Sequence, residues 1–255
     1  MSIILNEYEW AERCMQDKDL GRKPAEALSR VARYLYESKY TKREIRKRLD
    51  TFLLQCNPNA SLISWSNVLD KIAKNVNKYK LVKIDGVQIY KQELDAIDSL
   101  PGSQVKRLAF TLLCVAKYWD AVSDRNNHWV NTPDREIMGM ANINTSIKRQ
   151  CGLYSILWNS DLIQFSKKVD NLNVQVLFSV DSGDPEMYIK DFRNLGHQYS
   201  RRHGGSYFEC GECGIVLRES RDHKGRKQKY CRSCASEIKI RQSVNSITSH
   251  RYEGK

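Results

Sequence analysis

The stretch Thr132-Pro133-Asp134-Arg135-Glu136-Ile137-Met138-Gly139-Met140-Ala141-Asn142-Ile143-Asn144-Thr145-Ser146-Ile147-Lys148-Arg149-Gln150 holds two helix starts within nineteen residues. Thr132 offers a capping hydroxyl, Pro133 suits a first helical turn, and Asp134 and Glu136 favour the positive end of a helix dipole. The helix they open is short and carries Ile137, Met138, Met140 and Ala141. Asn142-Ile143-Asn144 reads as a tight turn. Thr145 and Ser146 then start a second helix, with Ile147, Leu153, Ile156 and Leu157 as packing positions. Upstream, Gln104 to Trp119 reads as a long apolar helix, and a polar break at Ser123–Asn127 leads to a short strand at Trp129-Val130. Downstream, Leu162–Lys168 and Asn173–Phe178 read as two strands joined around Asp170-Asn171.

Helix, short strand, helix, turn, helix and hairpin is the order of a winged helix-turn-helix, and residues 101–182 resemble that family over their whole length. The resemblance implies that Thr145, Ser146, Lys148, Arg149 and Gln150 begin a recognition helix. Polar and basic residues there meet base edges and phosphates when a helix enters the major groove. Lys167 and Lys168 fall at the wing, which in such domains touches the flanking backbone. Protein-binding members exist too. Residues 101–200 carry eleven Lys and Arg against ten Asp and Glu, and Asp161 and Asp170 lie close to the supposed contact face.

Near the C-terminus, Phe208-Glu209-Cys210-Gly211-Glu212-Cys213-Gly214-Ile215 is answered by Lys229-Tyr230-Cys231-Arg232-Ser233-Cys234-Ala235. Two C-x-x-C turns aim four thiolates at one point, the ligand set of a closed, structural Zn²⁺ site. Cys210, Cys213, Cys231 and Cys234 are therefore the expected ligands of one structural zinc ion, with His223 as a less suitable substitute. Ile215-Val216-Leu217 and Gln228-Lys229-Tyr230 suit the two strands of a ribbon hairpin with Lys224-Gly225-Arg226 at its tip. A helix straight after the second turn also fits a treble clef, and the sequence does not separate the two. Arg221, Lys224, Arg226, Lys227 and Lys229 crowd the intervening loop, where phosphate contact is their natural use. After Ile238 and Ile240 the chain reads as a polar tail over 241–255.

Residues 1–100 read as a helical domain with one hairpin. Helices are expected over 6–17, 24–38, from the capping box Thr41-Lys42-Arg43-Glu44 to Asn57-Pro58, over 64–78 with Val68, Leu69, Ile72 and Val76 inward, and over 91–99. Leu81–Tyr90 reads as two strands around Asp85-Gly86. The cluster Lys42-Arg43-Arg46-Lys47-Arg48 is either a solvated face or a phosphate-contacting one. Residues 183–207 read as a short amphipathic helix over Tyr188–Gly196 and a basic, flexible linker, Tyr199–Gly205. The expected class is thus mainly α with small β-hairpins (α+β), ending in a zinc ribbon or treble clef over 208–240.

The 255 residues carry 42 Lys and Arg against 30 Asp and Glu, a formal charge of +12. That balance favours nucleic acid as partner. No apolar run approaches the roughly 18–20 residues of a membrane span, and the acidic start is no signal peptide. The remaining cysteines, Cys14, Cys56, Cys114 and Cys151, are scattered and read as buried or free thiols in a reducing cytoplasm. Acidic clusters with metal spacing are missing, the five histidines are dispersed, and no phosphate-binding glycine loop occurs, so an enzyme is not expected. Through Leu112-Leu113-Cys114-Val115-Ala116-Lys117-Tyr118-Trp119, Lys148-Arg149-Gln150, Gly196 and the four cysteines, the chain is similar to bacteriophage and prophage proteins joining these three parts. That resemblance implies an intracellular protein handling double-stranded DNA, as a transcription regulator or replication factor. The alternative is an adaptor or inhibitor docking on a host or phage protein complex.

Overall fold

The computed structural model describes residues 3–123, 125–167, 173–220 and 228–252, with side chains to residue 243. Among them the class is α+β, with ten helices and three small antiparallel sheets. The chain divides into two compact units, residues 3–85 and 86–255.

The first unit is four helices, α1 (Glu7–Asp17), α2 (Pro24–Glu37), α3 (Lys42–Cys56) and α4 (Leu62–Asn75). Their starts are chemical. Asn6 and Ser61 cap α1 and α4, Pro24 opens α2, and Thr41 and Glu44 form the expected capping box on α3. Leu28, Val31, Leu35, Ile45, Leu49, Leu53 and Leu69 fill the core, where each fully buried aliphatic side chain contributes about 1.5–3 kcal/mol of transfer free energy. Val68 was expected inside but is exposed; Ala73 takes the inward position on α4. Glu7 is buried because Arg30 and Arg33 pair with it at 2.8 and 3.1 Å and the Val82 amide donates to it at 3.0 Å.

That last bond marks a correction. Residues 81–84 form no hairpin with 87–90. They run antiparallel to the N-terminal segment, with a bridge between Asn6 and Lys83 and a bond from the Ile84 amide to the Leu5 carbonyl. The boundary between the units falls inside the supposed turn, at Asp85/Gly86.

The second unit begins with β1 (Val87–Tyr90), which pairs antiparallel with the distant β5 (Pro185–Ile189), Val87 opposite Ile189. Gly86 permits this crossing: a Cβ there would lie 2.7 Å from the Ile189 carbonyl oxygen. After α5 (Lys91–Asp98) comes α6 (Ser103–Ser123), which is buried around most of its circumference, as a central core helix must be. Glu93 on α5 has no exposed surface; Lys117 pairs with it at 2.8 Å and the Tyr90 and Val180 amides donate to it.

Around α6 stand β2 (Trp129–Val130), α7 (Asp134–Met140), α8 (Ile147–Asn159), β3 (Ile163–Phe165) and β4 (Val174–Val176). The sheet order is β2-β4-β3, with Val130 opposite Val174 and Ile163 opposite Val176. Pro133, not Thr132, occupies the cap of α7, because the Thr132 hydroxyl accepts from the Trp119 indole at 2.9 Å. Leu153, Tyr154 and Leu157 seat α8, whereas Ile147, expected to pack, is 79% exposed.

The segment after β5 departs furthest from expectation. Tyr188 and Ile189 lie in β5 rather than a helix, and the helix is α9 (Leu195–Arg202), where the sequence predicts a flexible linker. Tyr199 is buried against Phe110, its hydroxyl bonds to Asp98, and Arg202 pairs with Asp98 and Glu186. The basic charges there are matched by acids and make a packed helix. The chain ends with β6 (Tyr207–Glu209), β7 (Val216–Arg218) and α10 (Arg232–Tyr252), so residues 241–252 continue a helix where a polar tail was expected.

Candidate metal centre and nucleic-acid interface

Strands β6 and β7 pair antiparallel, Phe208 opposite Leu217, and the turn between them carries Cys210 and Cys213. The Cys210 amide donates to Ile215 O at 3.0 Å and the Gly214 amide to Cys210 O at 2.9 Å. Gly214 closes the turn with φ +71°, a conformation glycine adopts without strain. Cys231 immediately precedes α10 and Cys234 lies in its first turn. The expected partner of β7 was Gln228–Tyr230; β6 takes that place, and 228–230 instead touches the first turn through the Gly211 amide on Lys229 O.

All four sulfurs lie within 4.8 Å of one another, and Cys213 and Cys231 are 3.9 Å apart. Four sulfurs at about 2.3 Å from a tetrahedral ion stand about 3.8 Å from one another. The spacing is therefore compatible with one metal ion. Backbone amides already point at sulfur, Cys231 N to Cys210 Sγ at 3.3 Å and Cys234 N to Cys231 Sγ at 3.4 Å. Burial pushes the Cys210 thiol up, but the amides of Cys213, Cys231 and Glu212 outweigh it and bring it down to about 6. Burial and the crowding of neighbouring sulfurs push Cys234 up instead. A divalent cation bound in the cluster would take all four cysteines as thiolates.

The cysteine module is tied to the helical core by a network the sequence did not advertise. Asn142 and Asn194 both adopt left-handed backbone, φ 55° each. Asn142 Nδ2 donates to Asn194 Oδ1 at 2.8 Å, Asn194 Nδ2 donates to Val216 O at 3.1 Å, and the His197 backbone amide donates to Asn142 Oδ1 at 3.1 Å. Arg193 reaches the Cys213 carbonyl at 2.5 Å. Gly196 makes the approach possible, since a Cβ there would lie 2.0 Å from the Ala141 carbonyl oxygen. The turn between α7 and α8 is thereby joined to the strand after the first cysteine pair. Two asparagines flanking a helix end and a helix start were the available signal.

Of the five residues expected to contact DNA from α8, two hold the helix start together. Ser146 caps it, accepting from the Arg149 amide at 3.4 Å, and the Gln150 side chain folds back onto the Thr145 carbonyl at 3.0 Å. Thr145 is half-buried. Lys148 and Arg149 are exposed; Arg149 donates to Gln104 at 3.2 Å and Lys148 has no partner among the described residues. Both line an open groove of about 960 Å³ beside the N-terminus of α6, with Gln104, Val105, Arg107 and Ile156. Lys167 is exposed next to β3. Asp161 lies just past the C-terminus of α8, at the opposite end of the helix from Lys148. Lys229 is exposed beside the first cysteine turn, while Lys168, Asp170, Arg221, His223, Lys224, Arg226 and Lys227 lie outside the described residues.

No family model matches the chain, and no solved structure matches it significantly. No helix among the described residues is long and apolar enough to cross a membrane.

Proposed function

We propose that the chain is a non-enzymatic protein of phage type that binds double-stranded DNA through a winged helix and carries one structural Zn²⁺ in a treble-clef-like module. The observation carrying this reading is the start of α8. It follows a tight turn, stands beside a three-stranded sheet in the order β2-β4-β3, and presents Lys148 and Arg149 outward. A helix entering the major groove meets bases with its N-terminal residues, and the wing then meets the flanking backbone, here with Lys167 and Lys168. The basic residues from Arg221 to Lys229 add phosphate contacts. Zinc suits the site because four thiolates leave no open position for chemistry. The hairpin turn supplying Cys210 and Cys213 and the helix start supplying Cys231 and Cys234 favour a treble clef over a ribbon.

Fluorescence anisotropy of a labelled random-sequence duplex tests the DNA reading. Binding that weakens steeply with salt is expected; no binding at low salt rejects it. A second reading rests on one observation: Ile147, Trp158 and Phe165 are 79%, 55% and 42% exposed on α8 and β3. Apolar groups on that face suit a protein partner. Recovery of a stoichiometric protein from cells, unaffected by nuclease, supports the adaptor.

A further inference from the structure

The excess charge of the first unit is confined to half of it. Residues 39–83 hold eleven Lys and Arg against three Asp and Glu, while residues 3–38 hold six against seven. The ion pairs follow the same division. On α1 and α2, Arg13 pairs with Glu9, Lys23 with Glu26, and Arg30 and Arg33 with Glu7. On α3 and α4, all three acids are taken internally. Glu44 serves the Thr41 cap, and Asp50 and Asp70 both face Arg46. Arg48 lies 4.0 Å over the Tyr40 ring, and Lys42 donates to the Lys74 carbonyl at 2.9 Å and to Asn77 at 3.0 Å. Arg43, Lys47, Lys71, Lys74 and Lys78 are all exposed and make no ion pair among the described residues.

Four of these share one face. Lys42 and Arg46 on α3 meet Asn77, just past the end of α4, and Asp70 on α4, which fixes the seam between the two helices. Arg43 and Lys47 each follow a seam residue by one position, as Lys71 follows Asp70, and Lys74 lies about one turn on from Lys71. Both pairs therefore turn away from the core side of Ile45, Leu49, Leu69 and Ala73. Lys78 follows in the segment just after α4. Arg43 and Lys47 stand about 6 Å apart along α3, and Lys71 and Lys74 about 4.5 Å apart along α4. Like charges at i,i+4 are destabilising in a helix, so Arg43 and Lys47 repel each other and a polyanion relieves them.

We infer that the outer face of α3 and α4, with Arg43, Lys47, Lys71 and Lys74 and with Lys78 just beyond it, is a second phosphate-backbone contact surface for nucleic acid, independent of sequence and of α8. It does not depend on the winged-helix reading.

The test uses the full chain on a random-sequence duplex over a salt series. Arg43→Gln, Lys47→Gln and Lys71→Gln are combined in one variant, and Lys74→Gln with Lys78→Gln in a second. Because none of the five is ion-paired, both variants should keep the wild-type circular dichroism and melting temperature. The triple variant should flatten log Kd against log salt by about 2.7, about 0.9 per lost contact, and the double variant by about 1.8. A Lys148→Ala/Arg149→Ala variant separates the two readings. Loss of binding there with wild-type slopes in the α3–α4 variants overturns the second surface alone. Loss in the α3–α4 variants with no change in the α8 variant supports this surface as the one that carries affinity for random sequence. No duplex binding by the wild type overturns both. Binding to phosphatidylserine vesicles that the α3–α4 variants lose, with duplex binding unchanged, overturns the nucleic-acid assignment in favour of a membrane surface.

Discussion

Two helical glycines should respond to alanine with opposite signs. Gly196, near the start of α9, faces the end of α7: an added Cβ would sit 2.0 Å from the Ala141 carbonyl oxygen and 2.6 Å from its carbon. Ordinary contact begins at 3.4 Å, so about 1.4 Å of backbone displacement is required. The neighbour is main chain at the α7 terminus, which cannot rotate aside as a side chain would. Overpacking of this kind costs about 3 kcal/mol, and the helix preference of alanine returns less than about 1. The net loss of about 2 kcal/mol lowers the melting temperature by about 4–8 °C. Gly152, in the middle of α8, has nothing within 4 Å of its would-be Cβ. Gly152→Ala should therefore gain about 0.5–1 kcal/mol and melt about 1–3 °C higher. Thermal melts followed by circular dichroism measure both. A Gly196→Ala variant that melts at or above wild type would refute the close approach of α9 to α7, and with it the coupling of the cysteine module to the turn before α8.

Other outcomes follow from the same packing. Elemental analysis should find one zinc per chain, and Cys231→Ser should lose it to a chelator that leaves the wild type loaded. Hydrogen exchange on chelation should then quicken in β6, β7 and the start of α9 and stay unchanged in α1–α4. Lys117→Met strands the buried Glu93 charge and should cost about 3–5 kcal/mol in urea unfolding, with Glu93→Gln added to it recovering more than half. Burial pushes the Asp98 carboxyl up, but hydrogen bonds from Tyr199 and Arg202 and the charges of His203 and Arg202 outweigh it and hold it low. A depressed carboxyl stabilises above its unfolded value, about 3.9, and that stability is lost as pH falls through the folded value. Wild type should lose more stability between pH 5 and 3 than Asp98→Asn does.

What could be read from the residues was local. The Thr41–Glu44 cap, the Ser146 start and the apolar run of α6 each declare themselves within a few positions, and all three helices are present. The doubled C-x-x-C spacing brought four sulfurs together as expected. The failures are long-range. Val87–Tyr90 follows an Asp-Gly pair that reads as a hairpin turn, yet its partner is β5, about a hundred residues on. Residues 199–205 looked like a linker because their charges were counted without Asp98 and Glu186, which neutralise Arg202 from other elements. Ile147 reads as a packing position because apolar residues on a helix are usually buried; it lies on the outward face of α8, 79% exposed, where the core does not decide the residue. Pairing β7 with Gln228–Tyr230 assumed that the two cysteine turns fold alike, whereas one is a hairpin turn and the other a helix start.

Sequence selection from a randomised duplex pool tests the central claim most directly. The wild-type chain, loaded with zinc, should enrich a defined motif, and Lys148→Ala/Arg149→Ala should retain duplex without enriching any sequence. The same motif recovered by both proteins, or no motif recovered by either, would contradict the assignment of α8 as the element that reads DNA.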